Sequence, residues 1–208
     1  MTKIKSVPGA PALLIDTSQW RSPAPSFPDM FGNDHPVEIE IGCGKAKMLI
    51  ARAQNQPERN FIGIDYTWRF MRFGCQRSQK RGLANIRFIR EEAKHIVNEF
   101  IRPESVSIFH IYFPDPWPKR RQQKRRLIDR HFVEVLHGRL AADGRIEIVT
   151  DDFDYSIAIK AAFAKTGSLW RAVKHSTNEP LFKTEEKTNY ELKWRAAGRI
   201  IYYLETGK

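Results

Sequence analysis

Two cysteines, Cys43 and Cys75, are all that the 208 residues contain. That is too few for a disulfide framework or a zinc ribbon. The 6 histidines are scattered and form no HExxH or Cys/His cluster, so no metal is expected. No apolar run approaches the roughly 20 residues that a membrane helix needs. The nearest approach to a signal peptide is VPGAPALLI at 7–15, short and broken by two prolines, with no suitable cleavage site after it. A soluble, cytoplasmic protein is the expectation. Acids are scarce too: 24 Asp and Glu face 35 Lys and Arg, a net charge of +11. Such an excess points to a polyanionic partner, a nucleic acid or an anionic membrane surface. The chain does have apolar material, 41% hydrophobic with 12% aromatic, enough for one folded domain with a sizeable core.

Residues 1–36 hold six prolines and show no sustained periodicity, which reads as a loosely packed lead-in before a domain over 37–208. VEIEIG (37–42) alternates and stops at a glycine, a strand signature. Further strands are expected at 60–65, 85–89, 105–113 and 145–150, and a closing one at 198–205. Helical spacing marks 47–56 and 66–82. It marks two more helices, one carrying Phe132, Val135, Leu136 and Leu140 on one face and ending at Gly144, and one over 155–167. This alternation predicts an α/β fold with a doubly wound, mostly parallel sheet.

In such sheets ligands bind beyond the carboxyl ends of the strands, where the order reverses. The first strong strand ends in Glu40-Ile41-Gly42-Cys43-Gly44-Lys45-Ala46. Gly42 and Gly44 let backbone pass close to a ligand, with a helix N-terminus behind. Asp65 closes the second strand, placed to accept hydrogen bonds from ribose hydroxyls. A dinucleotide or S-adenosylmethionine fits this arrangement. The dinucleotide pattern G-x-G-x-x-G fails at Lys47, and Glu40 would repel a pyrophosphate, whereas it would attract an amino or sulfonium cation. S-adenosylmethionine is therefore favoured. Glu91 and Glu92, after the third strand, are either an adenine contact or a solvated loop.

Basic residues cluster. From Trp68 to Arg90 there are seven Lys or Arg and no acid, and 119–126 adds six more. Arg69, Arg72 and Lys80 can share a helical face, and such single-sign faces favour phosphate. Trp68, Phe70, Trp117 and Trp194 are candidate platforms for stacking on bases. The second basic run is preceded by FPDPWP, in which three prolines stiffen Asp115 and Trp117.

FPDPWPKRRQQKRR (113–126) resembles the FPDPWPK-x-R-x-x-KRR signature of the tRNA (guanine-N7)-methyltransferase family, and the likeness runs from about 37 to 205. EIGCG and GID resemble its cofactor motifs, VTDDFDY its acidic motif, and Thr188-Asn189-Tyr190-Glu191 its Thr-x-Phe-Glu. The resemblance implies a Rossmann-like methyltransferase fold, S-adenosylmethionine as cofactor, and a guanosine of the tRNA variable loop as substrate. It implies that Glu40, Gly42, Gly44, Asp65, Glu92 and Asp115 line the cofactor site, with Asp115 also catalytic. Lys119, Asp151, Thr188, Asn189, Tyr190 and Glu191 would hold the guanosine, and Arg120, Arg121, Lys124, Arg125 and Arg126 the RNA backbone. A monomer or a homodimer fits equally.

Other roles compete for these residues. Asp115 could be a turn residue before proline, Lys119 and Asp151 surface ion-pair partners, and Thr188 with Glu191 a capping pair. Departures from the pattern are Ala46 for glycine, Asp65 for Glu, Gln122 and Gln123 where His is frequent, and LKWRAA at 192–197. A methyltransferase acting on another RNA or base atom, or a silent RNA-binding module of the same fold, is the alternative function.

Overall fold

The computed structural model describes residues 13–18, 20, 24–182 and 187–208. The elements are β1 (Leu14–Ile15), α1 (Phe27–Phe31), β2 (Val37–Ile41), α2 (Lys47–Asn55), β3 (Asn60–Ile64), α3 (Trp68–Lys80), β4 (Ile86–Ile89) and α4 (Ala93–Glu99). After them come β5 (Val106–Tyr112), a 3-10 turn (Arg120–Arg125), α5 (Arg130–Arg139), β6 (Leu140–Thr150), α6 (Phe153–Ala164), β7 (Val173–Thr177), α7 (Asn189–Ala196) and β8 (Tyr202–Gly207). One sheet holds all eight strands in the order β1-β4-β3-β2-β5-β6-β8-β7. The strands from β1 to β6 pair in parallel, and β8 runs antiparallel to both β6 and β7.

Helices cover both faces of this sheet, so even the alternating strand VEIEI is buried at every position. Its apolar residues Val37, Ile39 and Ile41 belong to the main core with Phe109, Ile111, Ile146 and Ile148. A second apolar cluster packs Leu49, Phe61, Met71 and Phe88 under α2 and α3. Removing a fully buried ring such as Phe61 or Phe88 would cost about 3–5 kcal/mol.

The expectations for β2 to β5 and their helices hold. Three points differ. First, the lead-in residues that the structure describes pack onto the domain instead of trailing loosely. Leu14 and Ile15 pair with Phe88 and Ile89 as an edge strand, and Trp20, Ala24, Phe27 and Met30 join the core. Ser26 and Asp29 form a reciprocal capping box on α1. A two-residue strand and a five-residue helix are too short to register as periodicity among six prolines. Second, Gly144 does not end a helix. The helix stops at Arg139, and Gly144 lies within β6, where an added Cβ would come 2.9 Å from the Ala141 carbonyl and 3.0 Å from that of Val106. Third, the closing strand is antiparallel and has a partner, β7, which gave no sequence signal because its residues are mostly exposed. Among the described residues no helix is long and apolar enough to cross a membrane, and no cluster of His, Cys, Asp and Glu is arranged to hold a metal.

Candidate active site

The chain runs outward from β2 through β3 to β4, then returns to lay β5 on the other side of β2. The order therefore reverses at the carboxyl ends of β2 and β5, and the loops after these strands form the site. Residues 42–46 follow β2. Gly42 (φ 77°) and Gly44 (φ 52°) are left-handed, and a Cβ on either would meet nothing within 4 Å. The loop's outer side is thus bare backbone. Its inner side is tied down: the Gly42 and Cys43 amides both donate to the Ile64 carbonyl, at 2.8 and 3.2 Å. Ala46 is also left-handed, at φ 53°, a strain of about 1–2 kcal/mol. It is fully buried against Gly74 of α3, so a small side chain is what the position admits.

Glu40 heads this loop and is only 6% exposed. Burial pushes its carboxyl up to about 7, against the pull of His110 and Arg52, and with Asp65 adding to the rise. Asp65 closes β3 and is held by two amides, Gly44 N–H at 2.8 Å and Thr67 N–H at 2.7 Å. Its shorter side chain thereby braces the glycine turn it faces. Glu92 stands after β4, but its carboxylate is occupied as the cap of α4, accepting from Lys94 and His95 amides at 3.0 and 2.8 Å. Neither of the two roles read for it from sequence anticipated a cap.

The 113–118 loop leaves β5 beside this turn. Phe113 (φ 53°) and Trp117 (φ 45°) are left-handed without being glycine, so the prolines alone do not account for its shape. Three contacts hold the strain: the Phe113 amide donates to the Val149 carbonyl at 2.7 Å, Arg126 Nε donates to the Pro116 carbonyl at 2.7 Å, and Arg125 lies over the Trp117 ring at 5.1 Å. Asp115, between the two strained residues, is exposed and has no partner among the described residues. Arg126 needs correction. Expected on the RNA backbone, it is only 9% exposed, lies over the Tyr155 ring at 4.8 Å and clasps the loop from behind.

The 187–191 segment reaches the same edge. Tyr190 is 59% exposed and stacks on Phe113 with centroids 6.2 Å apart, and Lys47 Nζ donates to the Lys187 carbonyl at 3.5 Å. Asn189 is exposed. Thr188 and Glu191 do structural work that the capping alternative foresaw in part. Thr188 caps α7 by accepting the Glu191 amide at 2.9 Å. Glu191, expected on the substrate, is corrected: it is 4% exposed and faces inward to Arg195 at 2.9 Å and the Tyr203 hydroxyl at 2.5 Å. Asp151, at the end of β6, accepts from Arg199 at 2.6 Å, so it enters the site ion-paired. Lys119 is exposed. Sequence reasoning missed Phe113 as a stacking surface, Lys47 as a tether, and Tyr66, which follows Asp65 and is 72% exposed.

Residues 34–204 match a family model described as "Putative methyltransferase". A curated tRNA (guanine-N(7)-)-methyltransferase of Rubrobacter xylanophilus is 31% identical over 185 residues, covering 89% of this chain and 82% of that protein. One of the same description from Geobacillus sp. is 35% identical over 180 residues, covering 85% and 80%. The chain belongs to the tRNA (guanine-N(7)-)-methyltransferase family. Among solved structures, a precorrin-6y C5,15-methyltransferase from Geobacter metallireducens superposes with a TM-score of 0.59 at 15% identity, covering 85% of this chain and 82% of that one, which bears on the fold alone.

The site's donor set fits the family's methyl donor. A buried carboxylate at the head of a bare-backbone turn suits an amino cation, and Asp65 stands one strand away for a ribose. Around it, this family member carries cations on two outward faces. On α3, Met71, Gly74, Cys75 and Ser78 are buried, which turns Arg69, Arg72, Arg77 and Lys80 to solvent. Arg72 lies over the Phe73 ring at 4.8 Å. In the 3-10 turn, Arg120, Arg121, Lys124 and Arg125 are exposed. None of these eight has an ion-pair partner among the described residues.

Proposed function

We propose that this chain transfers the methyl group of S-adenosylmethionine to N7 of a guanosine in the variable loop of tRNA, with Asp115 as the catalytic residue. The observation that carries the assignment is Asp115 itself: an unpaired carboxylate held out at the carboxyl edge of β5 on a clasped, strained loop. Such strain persists where the surroundings over-determine it, which is common at working sites.

Glu40 and the Gly42–Gly44 backbone would hold the amino-acid end of the cofactor and Asp65 its ribose. S-adenosylmethionine, when bound, supplies a methyl group activated by a sulfonium. Guanine N7 carries a lone pair and no proton, so the protein has no proton to remove before attack. Alignment is the main requirement, and a rigid loop answers it. Asp115 accepts hydrogen bonds from guanine N1–H and the exocyclic amino group, and opposes the positive charge that grows on the base. Tyr190 offers a face for the base with Phe113 behind it. The exposed cations of α3 and the 3-10 turn take the RNA phosphates, and Lys119 bridges the two zones. Where N7 is engaged within the folded tRNA, the base is displaced to reach the site.

The test is incubation of unmodified tRNA with labelled S-adenosylmethionine, followed by mass spectrometry of the nucleosides. Native protein yields 7-methylguanosine at one variable-loop position. Asp115→Ala lowers methyl transfer by about a thousandfold, the order expected for loss of a charge-stabilising group, while tRNA affinity stays within about twofold. Full activity in Asp115→Ala would remove the catalytic role, and methyl on another atom would remove the N7 reading.

A further inference from the structure

Behind Glu40 lies a buried set of charges that the proposed chemistry does not use. The pairing register aligns Glu40 of β2 with His110 of β5, and His110 with Glu147 of β6. Glu38 is two residues before Glu40 and so on the same face of the sheet. His110 Nε2 is 2.8 Å from a Glu38 oxygen, and Nδ1 is 2.8 Å from a Glu147 oxygen. Tyr112 donates its hydroxyl to Glu147 at 2.7 Å. Arg52 of α2 lies 3.4 Å from both carboxylates, and Arg59 and Arg145 close the rim at 3.0 and 2.9 Å. His110, Glu38 and Glu147 are each at most 1% exposed and Arg52 is 5%.

An ionised carboxylate only accepts hydrogen bonds. Ionised carboxylates against both ring nitrogens, with the Tyr112 hydroxyl also 3.0 Å from Nδ1, favour an imidazole that donates from both and carries a positive charge. The pull of Glu147 and Glu38 outweighs burial and Arg52 and raises its pKa above the ordinary histidine value. Packing alone does not explain such a cluster, because apolar residues of similar volume hold a core as well or better than a buried ion network. What apolar residues cannot do is place positive charge behind Glu40. The groups facing Glu40 come from four elements: His110 from β5 and Arg52 with the Leu49 amide from α2 favour its anion, Asp65 after β3 opposes it, and Tyr112 of β5 and the adjoining Cys43 stay neutral, both pushed well up by burial. Glu38, on its own strand, is spent on His110, Arg52 and Arg59.

We propose that His110 and Arg52 are positioning residues for cofactor binding: as buried cations behind Glu40 they present it, negatively charged, to the amino end of S-adenosylmethionine. This rests on the cofactor reading above and adds to it the reason why an acid so deeply buried can serve as a ligand.

The test uses S-adenosylhomocysteine, which keeps the amino end, titrated calorimetrically into the native protein and into His110→Gln from pH 6 to 8.5. Removing one unit charge a few ångströms behind Glu40 moves the midpoint of its binding profile up by about one to two pH units. His110→Gln then binds about tenfold more weakly at pH 7 and recovers towards the native value by pH 8.5. Glu40→Gln flattens the profile in both backgrounds. A loss that is uniform in pH, or none, would overturn the proposal and leave the cluster purely structural. Arg52→Gln gives the same profile test from the helix side if His110→Gln fails to fold. Nitrogen-15 NMR of the native protein decides independently of any variant: His110 must carry both ring protons at pH 7, and a single-proton imidazole there refutes the mechanism. Native protein that binds no S-adenosylhomocysteine at any pH would instead refute the cofactor reading.

Discussion

Arg52 and Arg72 are the same residue type in opposite circumstances. Arg52 is 5% exposed, wedged between Glu38, Glu147 and Tyr112. Arg72 is exposed on α3 over the Phe73 ring, with no acid beside it. The difference runs through the molecule. Inside, charges are paired across β2, β5, β6 and α2. Outside, on α3 and the 3-10 turn, eight cations stand without ion-pair partners among the described residues. The interior pairs its charges, whereas α3 and the 3-10 turn each present cations of one sign to solvent, as a surface for a polyanion would.

The comparison is broken most severely from inside. Glu147→Ala leaves Arg52 and His110 buried with one carboxylate fewer, and such an unmatched charge costs about 3–5 kcal/mol in denaturant unfolding. The pH dependence follows from two opposite shifts. Burial pushes Glu147 up, but His110, Arg52 and Arg145 more than offset it and hold the carboxyl at about 2, below its ordinary value of 4.5. That contribution is complete above 4.5 and is lost as pH falls from there towards 2. His110 has its pKa raised above 6.5, so its contribution is complete below 6.5 and is lost as pH rises through the folded value. Native protein is thus most strongly supported by this cluster between about pH 4.5 and 6.5. Glu147→Ala should flatten the profile on the acid side. An unfolding midpoint within 0.5 kcal/mol of native at pH 5.5 would mean that the cluster carries no net stability.

Much of the outer architecture was legible in the sequence, because long periodic segments and turn glycines report their own local structure. The inner cluster was not. In VEIEIG the acids look like the solvent side of a half-buried strand, and only the pairing of β5 with both β2 and β6 brings His110, 72 residues from Glu38 in sequence, between two carboxylates. Resemblance named loops that the fold gathers at one edge of the sheet, but could not say which way a side chain turns. Asp115 and Tyr190 point out, whereas Glu191 points in towards Arg195 and Tyr203.

Arg126 sits on the boundary between the two regimes and sharpens it. It belongs to the basic run by sequence and to the interior by burial. Arg126→Ala releases the Pro116 carbonyl and with it the left-handed turn at Trp117. The expected result is a ten- to hundredfold drop in methyl transfer, about 1.4–2.8 kcal/mol, from misplacement of Asp115. The salt dependence of tRNA affinity should stay as in the native protein, because no phosphate contact is lost. A reduced salt slope would return Arg126 to the RNA-binding set.

The mildest test strips the outer face one charge at a time. Arg72→Ala removes an exposed guanidinium that no described acid holds, so folding stability should change by no more than about 0.5 kcal/mol. Affinity for tRNA should fall modestly, and the slope of log affinity against log salt should lose about 0.7–0.9, the value of one neutralised phosphate. Lys124→Ala should lose a similar amount, and the double variant about the sum, because phosphate contacts on separate elements act independently. Arg52→Ala offers the contrast within one residue type: its effect belongs to unfolding and to cofactor binding, with no change in the salt slope. If Arg72→Ala left the slope untouched, the α3 face would be a solvated surface, and the tRNA body would have to be carried by the 3-10 turn alone.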